Sequence, residues 1–107
     1  MPSIQPSPAA QQRRLIRSSP EYLDARARYR LICDQLQLPC WLDGQPIDYT
    51  LPPGHPDSWS LDHAIPMSVD ITLACDPNNF RPAHLACNKR RGNDEPHIPI
   101  GKLSRKW

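Results

Sequence analysis

From residue 19 onward the apolar positions fall at helical spacing. Tyr22, Ala25, Tyr29, Ile32 or Cys33, and Leu36 recur every three or four residues and predict one buried stripe on a helix running to about Leu36. Ser19 as N-cap, Pro20 at the first helical position and Glu21 in the first turn mark its start. Upstream, Met1 to Ser18 is rich in Pro, Ser and Gln around Arg13, Arg14 and Arg17, and reads as a disordered basic arm. After Leu38 the period is lost. Pro39, Gly44, Pro46, Pro52, Pro53, Gly54 and Pro56 punctuate the chain into a knuckle followed by a long irregular loop. Trp59, Leu61, Ala64 and Ile65 predict a short strand, and Val69 to Leu73 a second. Asp76-Pro77-Asn78 breaks the chain again. A helix over about His84 to Gly92 then closes on its glycine, and a Pro-containing tail ends in Lys102 to Trp107.

A chain of 107 residues has room for one domain, and 14 prolines with 38% hydrophobic residues leave it a modest core. Such a core needs a staple, either a metal or disulfides. The first residues contain no apolar run resembling a signal peptide or membrane span, so a cytoplasmic protein without membrane contact is expected. In a reducing compartment Cys33, Cys40, Cys75 and Cys87 are expected as thiols or metal ligands.

The net charge is only +2, but it is unevenly spread. No Lys or Arg lies between Arg30 and Arg81, an interval that holds Asp34, Asp43, Asp48, Asp57, Asp62, Asp70 and Asp76. Both flanks are basic. An acidic centre with basic arms suits a cation site that approaches a polyanion.

Three segments carry the chemistry. Asp62-His63-Ala64-Ile65-Pro66 sets an acid and an imidazole side by side at a strand end, where twist lets both approach one site. Asn79-Phe80-Arg81-Pro82-Ala83-His84 follows, and then Cys87-Asn88-Lys89-Arg90-Arg91-Gly92-Asn93. In this order and spacing they resemble the HNH endonuclease family, over roughly 38–93, and most closely its small phage and prophage members. The resemblance implies a ββα-metal fold that cuts DNA phosphodiesters, leaving a 3′ hydroxyl and a 5′ phosphate. It gives Asn79 the task of orienting the loop that carries the base.

Phosphodiester hydrolysis needs a base for water, a cation for the developing charge and protection of the leaving oxygen. His63, with a neutral imidazole near pH 7, suits the base. Asp62 and Asn88 offer the hard oxygens that Mg²⁺ or another divalent cation prefers. A second set, Cys40 with Asp43 and His84 with Cys87, has knuckle spacing for structural Zn²⁺, except that Asp43 stands where a second cysteine is usual. Cys33 and Cys75 fall outside this pattern as small buried hydrophobes, with Cys75 the one able to replace the missing thiol if its loop folds back. Arg81, Lys89, Arg90 and Arg91 are candidates for DNA phosphates.

The expected architecture is a small α+β domain, 19–107, with an N-terminal helix, a loop-rich zinc knuckle and a treble-clef-like ββα unit. DNA is the expected partner, with a homodimer or phage packaging machinery as further associations. The rival readings are a non-enzymatic zinc-knuckle module that binds nucleic acid, and a phage DNA-packaging accessory protein.

Overall fold

The computed structural model describes residues 7–92; residues 1–6 and 93–107, which include Asn93 and Trp107, lie outside it. Within that span the chain is an α+β domain of three helices and a two-stranded antiparallel sheet. No helix among the described residues is long and apolar enough to cross a membrane.

Helix α1 spans Pro8–Arg17, so most of the segment expected to be a disordered arm is helical instead. The local reasons are visible: Ser7 caps it by accepting from the Ala10 N–H at 3.1 Å, Pro8 takes the first position, and Ala, Gln, Arg and Leu favour helix. It buries no residue. Ser19 then caps α2, Pro20–Leu36, as the sequence predicts.

The buried stripe of α2 is shorter than expected. Tyr22 and Cys33 are buried, whereas Ile32 and Leu36 are 47% and 65% exposed. The core-facing line is carried by Tyr22, Tyr29 and Cys33. At its next step the helix ends: Gln37 adopts a left-handed φ of 51° and turns the chain. Leu38, not Leu36, packs on the core beyond that turn.

Strand β1 is Trp59–His63 and β2 is Phe80–His84, antiparallel with Trp59 opposite His84 and His63 opposite Phe80. The first strand therefore stops before Ala64 and Ile65. The second is not the expected Val69 to Leu73, which forms a turn and a 3-10 helix, Ile71–Leu73, capped by Asp70 accepting from the Thr72 N–H. Arg81-Pro82 concealed the true strand, because proline argues against a strand. Here Pro82 is harmless. Its carbonyl accepts from the Trp41 N–H at 2.9 Å, so the polar edge of this residue faces the knuckle rather than β1, and no ladder donor is lost.

Helix α3, Leu85–Arg91, leaves β2 directly and ends at Gly92, whose φ of 67° is the left-handed cap conformation. Lys89, Arg90 and Arg91 occupy its last turn, where positive charge suits the helix dipole. Its first N–H groups are satisfied from the preceding loop: Leu85 donates to Ser58 O and Ala86 to Pro56 O, each at 2.9 Å. The apolar core is small, built on Cys33, Cys40, Ile47, Tyr49, Trp59, Ala83 and Cys87.

Candidate functional site

The knuckle is a tight turn. Gly44, at φ 73°, donates to Cys40 O at 2.8 Å, and the Cys40 N–H donates to Gln45 O at 3.0 Å, which places Cys40 and Asp43 on the same side. His84 at the end of β2 and Cys87 in the first turn of α3 face them. One ligand atom from each of Cys40, Asp43, His84 and Cys87 lies within 4.8 Å of the others, so the four residues of the sequence pattern do come together and can hold a metal ion. The distances among Asp43, His84 and Cys87 match three ligands of a tetrahedron. Asp43 Oδ2 is 3.3 Å from both His84 Nδ1 and Cys87 Sγ, and that sulfur is 3.8 Å from Nδ1. Ligands about 2.0–2.3 Å from zinc have mutual separations of roughly 3.3–3.8 Å.

The surroundings prepare these donors. His84 Nε2 lies 2.9 Å from the Pro46 carbonyl, which only accepts, so the proton belongs on Nε2 and the Nδ1 lone pair faces the cluster. Burial and the neighbouring Asp43 carboxylate push the Cys87 thiol up to about 12, and Arg90 donates to its sulfur at 3.3 Å. Burial opposes ionisation of Asp43, but bonds from the Gln45 N–H and the Cys87 thiol outweigh it and hold that carboxyl below its ordinary value. Cys33 lies in the core and Cys75 is half-buried; neither joins the cluster, so Cys75 does not supply the missing thiol.

The second set of residues sits at the other end of β1. Asp62 and His63 both line a cleft of about 30 Å³, room for a water molecule, together with Arg17, Tyr22, Leu61 and Met67. Their side chains nevertheless bond in opposite directions. His63 turns to α2, stacking on Tyr22 at 6.2 Å and meeting Phe80 edge-on at 5.4 Å. Its Nε2 lies 2.8 Å from the Ala74 carbonyl, which again assigns the proton to Nε2 and the lone pair to Nδ1. Burial lowers its pKa, against the opposing pull of that carbonyl and of Asp62, so the ring is neutral at pH 7. The residue is only 8% exposed, less open than a water-facing base was expected to be.

Asp62 turns to α3 and the knuckle. Its Oδ2 accepts from Trp41 Nε1 at 2.9 Å and from Arg91 at 2.7 Å, while Oδ1 accepts from the His63 N–H at 2.8 Å. The expected metal ligand is therefore an internal ion pair as well. Asn79 is buried immediately before β2. Its side chain accepts from the Ile65 N–H at 2.8 Å and donates to Ile65 O at 3.0 Å, tying the loop after His63 to the start of β2. Asn88 donates to Ser60 Oγ at 3.1 Å and Leu61 O at 3.0 Å, and its Oδ1 is buried with no partner. An orphaned buried acceptor costs about 1–3 kcal/mol, so this oxygen suits an incoming cation or donor.

The basic run divides by direction. Arg91 points inward to Asp62 and to the carbonyls of His63 and Ala64, while Lys89 and Arg90 are exposed. Arg90 turns to Cys87, and Arg81 bonds to Asn78 O and Phe80 O. Helical spacing contains the missed signal. Residues 87 and 90, and 88 and 91, are three apart and share a face with the cluster and with β1. Trp41 was also missed: its ring carries Arg81 at 5.8 Å and Arg91 at 5.2 Å besides bonding Asp62. No sequence signal connects it to Asp62.

Compared with protein-family models, curated proteins and solved structures, the chain matches none.

Proposed function

We propose that the chain is a metal-dependent DNA endonuclease of the HNH kind, with His63 as general base. The observation that carries this reading is the bond from His63 Nε2 to the Ala74 carbonyl, which leaves Nδ1 as the proton acceptor of a ring lining a water-sized cleft beside Asp62. A depressed imidazole pKa keeps that acceptor unprotonated at neutral pH. Asn79 holds the loop that follows His63 through both backbone groups of Ile65, which supports its role as the orienting residue.

Asp62 and Asn88 are the residues that would hold a divalent cation such as Mg²⁺, which when bound supplies positive charge to the phosphate and the leaving oxygen. Their fit is reasonable. Asn88 Oδ1 has no other partner, and three protein donors leave Asp62 one of roughly four lone-pair directions. Zinc is the proposed occupant of the Cys40, Asp43, His84 and Cys87 cluster, where it would staple the knuckle to α3.

Supercoiled plasmid incubated with the purified chain and Mg²⁺ or Mn²⁺ tests the reading. The parent is expected to nick it, chelator to stop it, and His63→Ala to abolish it while the domain stays folded with unchanged metal content. Equal cutting by parent and variant would remove His63 from the mechanism.

One observation favours the second reading, a nucleic-acid-binding knuckle without cleavage: Arg91 already neutralises Asp62 at 2.7 Å. Binding without any nicking under either cation would decide for it.

A further inference from the structure

Trp59, Leu61 and His63 share one face of β1, and α2 lies across that face. Its Tyr22 stacks on His63 at one end. At the other, Arg26 and Arg30 stand 5.1 and 5.6 Å over the Trp59 ring. Between α2 and the loop preceding β1 is a second cleft, about 120 Å³, lined by Arg26, Arg30, Leu51, Pro53, Ser58 and Trp59. No carboxylate lines it. Arg30 is fastened in place, donating to Tyr49 O at 2.9 Å, pairing with Asp34 at 3.4 Å and stacking on the Tyr49 ring at 4.9 Å. Arg26 is different: it is exposed and has no carboxylate partner among the described residues. Two guanidiniums over one indole repel each other, and Arg26 has only the Trp59 ring, not a carboxylate, to offset that repulsion.

We infer that this cleft is a subsite for the phosphate backbone of duplex DNA, with Arg26 meeting the phosphate and Arg30, held by Asp34 and Tyr49, fixing the wall beside it. The inference rests on the endonuclease reading and extends it by saying where the DNA lies. Four residues of strand separate Trp59 from His63, about 13 Å. That span is only a few phosphates of one DNA strand, so one duplex can reach both the subsite and His63. Small apolar walls from Leu51 and Pro53 suit a sugar-phosphate edge rather than a stacked base, since the Trp59 face is already covered by guanidinium. The positive surface facing DNA thereby extends from the exposed Lys89 and Arg90 of α3 to α2.

Fluorescence anisotropy of a labelled 30-base-pair duplex, measured with the zinc-loaded full chain in buffer without Mg²⁺ or Mn²⁺ so that nothing is cut, tests it across a salt series. Arg26→Gln is expected to weaken binding about five- to tenfold and to reduce the slope of log affinity against log salt by about one, with Arg26→Lys keeping most of both. Pro53→Glu places a carboxylate in the opposite wall without touching α2, and is expected to weaken binding at least as much. Unchanged affinity and slope in Arg26→Gln and Pro53→Glu would overturn the subsite, as would a parent that binds no duplex at any salt. The two readings separate cleanly: a parent that nicks plasmid while Arg26→Gln binds normally defeats the subsite alone, whereas a parent that binds through Arg26 and never nicks supports the subsite and defeats the nuclease.

Discussion

Arg91 on α3 holds the carboxylate of Asp62 on β1 at 2.7 Å, and the Asp62 side chain is only 1% exposed. Removing one partner of such a pair leaves a buried charge unmatched, which costs about 3–5 kcal/mol. Arg91→Met is expected to lose about that much in urea unfolding. The double variant Arg91→Met with Asp62→Asn should recover most of it, because Trp41 can still donate to the amide oxygen. Full additivity of the two changes would mean the ion pair is not the cause.

The same guanidinium repels any cation near Asp62. Arg91→Met is therefore expected to bind Mn²⁺ several-fold more tightly than the parent in isothermal titration, although it is the less stable protein. A weaker Mn²⁺ affinity would show that Arg91 helps to shape the cation site.

Metal analysis of the knuckle should find about one zinc per chain, with Cys87→Ser losing both the metal and several kcal/mol of stability. The Cys87 thiol, pushed up to about 12, must give up its proton to bind zinc. Binding therefore releases protons, and chelator competition should show weaker affinity at pH 6 than at pH 8. Asp43→Cys supplies the softer thiolate and is expected to tighten the site.

Alkaline pH should unfold the core from one place. Burial raises the pKa of Cys33 above 9.0 and those of Tyr29 and Tyr49 above 10.0, and the three interact. The native state holds these protons more tightly than the unfolded chain does. Their contribution is thus complete below pH 9 and is lost as pH rises through the unfolded values toward the native ones. Denaturant midpoints at pH 8 and 10.5 should fall accordingly, and Cys33→Ala, which cannot ionise, should flatten the dependence near pH 9.

What the chain makes legible follows from how local each determinant is. Ser19-Pro20-Glu21 marks α2 because caps act within one turn, and the paired spacing of Cys40 with Asp43 and His84 with Cys87 marks the cluster because a knuckle and a helix turn fix those offsets. Strand β2 was hidden because Pro82 is tolerable only through its outward bond to Trp41, a contact made 41 residues away. Likewise, a run of Lys89, Arg90 and Arg91 shows charge but not direction. Only the packing of α3 on β1 turns Arg91 from a surface cation into the partner of Asp62.

Trp41 directly follows a knuckle cysteine, and its indole reaches across to Asp62. One rigid ring thus couples the turn that would grip zinc to the carboxylate proposed for the hairpin cation. Removing metal from that turn would loosen the element that carries this donor to Asp62, so the two ends of β1 are not independent of each other.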